Sequence, residues 1–177
     1  MSETKVPSAL WRERMSNLME RRKSITDSHH LENKIADYKS HISNIEIGKT
    51  VLDVGCGSMT LRQYMPEGTA YLGVDAFPVS GEVVKMKMEE CYFKDNSFET
   101  VFCFAMLDGC EDLALTLHHI KRVCSKNVLF LTGVGIEPDK YHTIKISESG
   151  LFDLMHPFKV GFKKYLAEKV LLVEYKK

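Results

Sequence analysis

"TVLDVGCGSMTL", Thr50 to Leu61, is the stretch whose reading decides the fold of this chain. Its first five residues are nearly all apolar, the pattern of a short strand covered by helices on both faces. Asp53 then stands just ahead of two glycines, Gly55 and Gly57, with Cys56 between them. Glycine tolerates left-handed backbone and lets a ligand approach the main chain closely. The N–H groups that open a following helix have no partner inside it. In an open α/β sheet, ligands bind at such turns, beyond the carboxyl ends of the strands.

Working outward, "AYLGVD" predicts a second strand that ends in a second acid, Asp75. Between the two strands "MTLRQYMP" allows a short helix stopped by Pro66, and "PEGT" turns the chain back, completing a βαβ unit. After Asp75, "AFPVSGE" is too short for a crossover helix, and a third strand is expected near "VVKMKM". "ETVFCFAML" reads as the fourth strand and "NVLFLTG" as the fifth. The helix between them, "EDLALTLHHIKRVC", sets Leu113, Leu117, Ile120 and Cys124 on one face, with acids in its first turn and Lys121 and Arg122 in its last.

A short helix around "SGLFDLM" and two strands, "FKVGFKKY" and "KVLLVEYK", close the chain, the strands near enough to pair as an antiparallel hairpin. The expected fold is α/β: a Rossmann-like parallel sheet with a C-terminal antiparallel hairpin and helices on both faces. Two amphipathic stripes precede it. Leu10, Trp11, Met15, Leu18 and Met19 form the first; Leu31, Ile35, Tyr38 and Ile42 form the second, with Ser28 as N-cap. Residues 1–48 are therefore expected to be a helical extension capping a domain at 49–177. Arg21, Arg22 and Lys23 read as the solvated, dipole-complementing end of the first helix.

The chain has 177 residues, 44% apolar and 27% charged, with zero formal net charge, which suits one globular domain. Neutrality argues against a partner held mainly through phosphates and favours a small or neutral partner. The basic run and the lysines of the terminal hairpin keep nucleic acid open, and oligomeric state is unmarked. Five cysteines without a CxxC pair point to reduced cytoplasm. No charged-then-apolar leader opens the chain, and no apolar run reaches the roughly 20 residues of a membrane span.

An acid ending the second strand accepts hydrogen bonds from both hydroxyls of a ribose, which suits Asp75 to a nucleoside. A dinucleotide turn wants a third glycine, whereas the residue three after Gly57 is Thr60. Asp53 either faces a cationic amino acid group or is a structural acid. A nucleoside joined to a charged amino acid is S-adenosylmethionine.

These segments resemble the class I S-adenosylmethionine (SAM)-dependent methyltransferases, and among them the small type-11 enzymes. "VLDVGCGS", "YLGVDAFP", "CYFKDNSFETVFC" and "LTLHHIKRVCSKNVLFLTG" are similar to that family's motifs in order and spacing, over roughly Lys49 to Gly135. The resemblance implies SAM as cofactor, with Asp53, Gly55, Cys56, Gly57, Asp75, Ala76 and Phe77 around it. It implies further that Met88 and Glu89 lie at the adenine, and Phe104 and Ala105 beside the donor methyl. Met59 stands where the family prefers glycine, and Lys87 where it often carries an adenine-binding acid. These departures motivate an alternative, a catalytically silent scaffold or regulatory subunit on the same fold.

Four residues are candidates for chemistry. Asp108, after the fourth strand, either orients or deprotonates an acceptor hydroxyl or amine, or is a helix N-terminal acid. Tyr38 either closes over the pocket, as an aromatic does in similar enzymes, or packs in the core. His142 and His156 flank the last helix as candidate general bases. His29/His30 and His118/His119 are adjacent pairs that do not share a helix face, so no metal site is expected. Cys56 reads as a small packed residue, since no base is marked beside it.

Overall fold

The computed structural model describes residues 4–24 and 38–177, with the backbone alone at 21–24. Ser28, Leu31, Ile35, His29 and His30 lie outside the described residues, as do the side chains of Arg21, Arg22 and Lys23. Of the second expected helix, residues 38–42 are described and are helical.

Seven strands form one sheet: β1 (Thr50–Val54), β2 (Ala70–Asp75), β3 (Val84–Lys85), β4 (Phe98–Phe104), β5 (Cys124–Gly133), β6 (Lys159–Ala167) and β7 (Val170–Lys176). Their spatial order is β3-β2-β1-β4-β5-β7-β6. β1 to β5 run parallel, while β7 lies antiparallel between β5 and β6. The chain moves outward from β1 to β2 and then crosses to β4 on its other side. A crevice opens at that reversal, beyond the carboxyl ends of β1 and β4.

Strand periodicity sorts the core into two layers. Leu52 and Val54 of β1, with Val101 and Cys103 of β4, face a layer that includes Leu117, Ile120, Leu151 and Met155. Those four belong to helices α2 (Leu113–Val123) and α3 (Glu148–Met155). Val51, Phe102, Phe104 and Leu129 face the opposite layer with Ile42, and Tyr38 packs against it.

Asp112 is the N-cap of α2, accepting from Leu115 N at 3.0 Å, so the expected acids precede the helix rather than enter its first turn. Cys124 is the C-cap of α2, its N–H donating to Ile120 O, and it also opens β5. Lys121 donates to the carbonyls of Leu154 and His156, satisfying groups at the end of α3 that have no partner within that helix. The short helix after β1 is a 3-10 turn, Thr60–Tyr64.

Helix α1 (Ser8–Ser24) lies across the crevice. The segment leading into it is tied to the loop before α2 by Val6 N to Glu111 O at 2.8 Å and Leu113 N to Thr4 O at 2.7 Å. The Ser8 hydroxyl donates to the Glu111 carboxylate.

Candidate functional site

A cavity of about 650 Å³ fills the crevice. Its floor is the turn after β1. Gly55 (φ +71°) and Gly57 (φ +54°) are left-handed, and so is Met59 (φ 57°). Met59 thus takes at its position the backbone that glycine adopts most readily, at a cost of about 1–2 kcal/mol. Gly55 N and Cys56 N donate to Val74 O at 2.8 and 3.1 Å, hooking the turn to β2. A Cβ on Gly55 would stand 2.6 Å from Met106, so packing as well as φ requires glycine there. A Cβ on Gly57 would meet no atom of the chain within 4 Å.

Asp75 organises the far side of the turn. One carboxylate oxygen accepts from Gly57 N at 3.0 Å and the other from Phe77 N at 2.8 Å. A carboxylate has about four acceptor positions, so two remain, and Asp75 lines the cavity.

Asp53 behaves differently. It shares the face of Val51, is 2% exposed, and accepts a hydrogen bond from the Tyr71 hydroxyl. Burial pushes its carboxyl up to about 7, with the nearby Asp75 charge adding to the rise. It stands behind the cavity wall. Cys56 Sγ fills the space over Gly73, where a Cβ would come within 2.7 Å of it. Burial, with the Asp53 and Asp75 charges, pushes that thiol up to about 12, which leaves almost no thiolate at neutral pH.

The roof is α1. Trp11 and Met15 are buried and line the cavity with Leu18 and Met19, while Leu10 points outward. Trp11 stacks on Phe77 at 5.7 Å between ring centres, and its indole N–H donates to Gly109 O at 2.9 Å. Lys87 Nζ lies 4.9 Å from the Trp11 ring centre, 2.8 Å from Glu111 Oε2 and 3.1 Å from Glu90 Oε1. Glu89, also on the wall, accepts from Glu111 N and Asp112 N with one oxygen, at 2.8 and 3.1 Å.

At the other end, Asp108 of the turn after β4 meets Asp139 and His142 of the loop after β5. His142 Nε2 is 3.7 Å from Asp108 Oδ2, and His142 Nδ1 is 2.9 Å from Asp139 Oδ1. Burial pushes the Asp108 carboxyl above its ordinary value, and the His142 charge pulls it back. Backbone donors from His142 and Tyr141 hold Asp139 down to about 2. Arg14 of α1 donates to the His142 and Thr143 carbonyls, joining this corner to the roof.

The cavity brings together Tyr38, Gly55, Asp75, Ala76, Phe77, Met88, Glu89, Ala105, Asp108 and His142 of the residues singled out in the sequence. Asp53, Cys56, Gly57, Phe104 and His156 do not line it. Phe104 turns into the core, where it meets Tyr38 at 5.3 Å. The sequence reading missed Asp139 and Met106, and it placed Trp11 and Met15 on the stripe of a capping helix without assigning them to the site. An aspartate three residues ahead of a histidine is a turn signal, and it was the available clue to Asp139.

The sequence profile of the methyltransferase domain family matches residues 52–132, from within β1 to the end of β5. No curated protein matches the chain by sequence. A SAM-dependent methyltransferase from Aquifex aeolicus is similar in structure, with 18% identity and a TM-score of 0.64 over 89% of this chain and 97% of its own. The 1,6-didemethyltoxoflavin-N1-methyltransferase of Burkholderia thailandensis, solved with S-adenosylhomocysteine, gives 16% identity and 0.67 over 96% and 88%. The cyclase SpnF gives 12% and 0.65 over 81% and 80%. At such identities the likeness is one of fold, and a cyclase shares it. The profile match lies on the strands that carry the glycine turn and both acids, so residues 52–132 are similar to the methyltransferase domain family, and the surrounding fold is one that SAM-dependent methyltransferases share.

Proposed function

We propose that this protein transfers a methyl group from SAM to a small or medium acceptor by in-line displacement. The observation that supports it best is the gathering of Gly55, Asp75, Phe77, Met88 and Ala105 around one cavity at the sheet's reversal point. That cavity fits the cofactor chemically: a carboxylate with two spare acceptor positions for ribose hydroxyls, an open glycine turn for the amino acid end, and apolar walls. When bound, SAM supplies an activated methyl on a sulfonium whose sulfur leaves as a neutral thioether.

The chain's own residues then align and dry the reactants, a contribution of up to about 7–11 kcal/mol. Asp75 holds the ribose, and Gly55, the turn residue that lines the cavity, receives the amino acid end. Asp53 acts on that end from behind the wall through its charge. Met88 offers its backbone to the adenine, as Glu89 offers its remaining carboxylate oxygen. Ala105, with Phe104 beneath it, faces the donor methyl, and Tyr38 closes the pocket. Asp108 and His142 handle the acceptor proton. Residues 1–48 act as a cap on 49–177.

Among the described residues, Lys87 is the one lysine or arginine on the cavity wall, and carboxylates already engage it. A phosphate-rich acceptor would find no free cation there, which favours a small molecule over nucleic acid. No described helix is long and apolar enough to cross a membrane. All five cysteines are unpaired, in keeping with a reducing compartment such as the cytoplasm.

Titration calorimetry with SAM, S-adenosylhomocysteine and NAD tests the reading. Binding of the first two is expected. Silence toward all three favours the silent scaffold, a reading motivated by the engagement of Lys87, and binding of NAD alone overturns the proposal.

A further inference from the structure

The acceptor end of the cavity contains a histidine held between two acids of unequal character. Asp139 is not on the cavity wall. Its Oδ1 accepts from Tyr141 N and His142 N, both at 2.7 Å, while its own N–H donates to His142 O at 3.0 Å. This closes residues 139–142 into a tight turn whose carboxylate has no choice of direction. Being ionised, that carboxylate only accepts, so the imidazole Nδ1 at 2.9 Å must donate to it. The neutral ring then carries its lone pair on Nε2, the nitrogen turned toward Asp108 and the cavity.

We propose that His142 is the general base of methyl transfer, that Asp139 is the positioning residue that fixes its tautomer, and that the acceptor is a neutral, weakly acidic O–H or N–H on an apolar body. This rests on the methyltransferase reading. The neutral class follows from charge: Asp108 and Asp139 stand at this end, and the Lys87 ammonium sits on Glu111 and Glu90 instead of facing an acceptor. The apolar body follows from Met106, Leu131, Ile136 and Val170 around it.

The proton moves from the acceptor to Nε2, and the electron pair left behind on oxygen or nitrogen bonds the methyl carbon. The pair of the broken carbon–sulfur bond stays on sulfur. Asp139 and Asp108 stabilise the imidazolium until it releases the proton to solvent. An acceptor without a removable proton, such as a thioether, needs none of this apparatus.

Two sets of measurements test the proposal, and neither requires the natural acceptor to be identified. Nitrogen-15 spectroscopy of the full chain at a pH where His142 is neutral is expected to show the Nδ1–H tautomer. Asp139→Asn, which can no longer act only as an acceptor, is expected to lose that preference. An Nε2–H tautomer in the unaltered protein overturns the positioning role. In protein loaded with S-adenosylhomocysteine, 2-naphthol is expected to bind at least tenfold more tightly than 2-naphthoate by calorimetry. Equal affinity, the reverse order, or no binding of either overturns the acceptor class. With SAM, 2-naphthol methylation is expected to fall at least a hundredfold in His142→Gln, with S-adenosylhomocysteine affinity unchanged; a smaller fall removes His142 as the base. Failure of S-adenosylhomocysteine to bind the unaltered chain sinks the methyltransferase reading itself, a result distinct from all of these.

Discussion

The Lys87 ammonium stands 2.8 Å from the Glu111 carboxylate and 4.9 Å from the centre of the Trp11 ring, so it fastens the roof of the pocket to its wall. From the sequence alone, Lys87→Asp is expected to restore an adenine contact. That holds if Lys87 has merely vacated the contact, but in the structure the new carboxylate would face Glu90 and Glu111 with no cation between them. Lys87→Asp should lower stability by about 1–2 kcal/mol, the range between exposed and buried ion pairs, and weaken SAM binding. Lys87→Met, which keeps an apolar stem under Trp11, should cost less. Urea unfolding of both variants and calorimetry with SAM check this; tighter binding in Lys87→Asp would contradict it.

The same pair sets an acid limit. Lys87 and Ser8 hold the Glu111 carboxyl below its ordinary value. A depressed folded value means that its contribution is present above the unfolded value, near 4.5, and is lost as pH falls through the folded one. Glu111→Gln should therefore lose stability at neutral pH and converge with the unaltered protein at low pH, as read by thermal melts across that range.

Asp53 carries the opposite sign. Its folded value, about 7, lies above the ordinary 3.8, so the native state holds the extra proton and stability falls as pH rises between them. Asp53→Asn keeps a carbonyl oxygen for the Tyr71 hydroxyl and removes the buried charge. It should stabilise the protein by about 2–4 kcal/mol at pH 8 and by less than about 1 kcal/mol near pH 4. Denaturant midpoints at the two pH values decide it.

Asp75→Ala should weaken SAM binding by about 1.5–3 kcal/mol, the usual effect of losing hydrogen bonds to a charged group. Asp75→Asn keeps one acceptor for either Gly57 N or Phe77 N and should fall between. Calorimetry on both, with melts to separate a loosened turn from a lost ligand contact, checks the assignment. An unchanged dissociation constant in the alanine variant would remove Asp75 from the ribose.

The two turn glycines should respond unequally to alanine. At Gly57 only the left-handed backbone opposes a side chain, a cost of about 1–2 kcal/mol. At Gly55 the same cost is joined by a 2.6 Å approach to Met106, whose Cβ cannot swing away. Gly55→Ala should therefore be clearly the less stable in thermal unfolding.

Strands were legible in the sequence because burial on both faces of a parallel sheet leaves near-continuous apolar runs, as in Val51 to Val54, broken only by Asp53, and Val128 to Leu131. The terminal hairpin was equally plain from its spacing. What the sequence could not express is which way a side chain leaves its strand relative to a ligand. Asp53 and Asp75 look equivalent as acids at strand ends. Yet Asp53 comes one residue before its strand stops and points into the Val51 layer, whereas Asp75 is the last residue of β2. Joining His142 to Asp108 was beyond any local pattern, since 34 positions separate them and only the packing of residues 139–144 against the loop after β4 brings them near. Asp139 had a turn signal but no reason to be chosen until its histidine was known to face the cavity.

Trp11 is the chain's one tryptophan, and it sits in the roof between Phe77 and Lys87. All indole fluorescence of this protein therefore originates within the lining of the pocket. An aromatic ligand stacking there would quench that emission, while lifting of α1 would release the ring from Phe77 into water and shift it to longer wavelength. Filling the pocket and opening it consequently carry different optical signatures, and the molecule distinguishes the two events with no label attached.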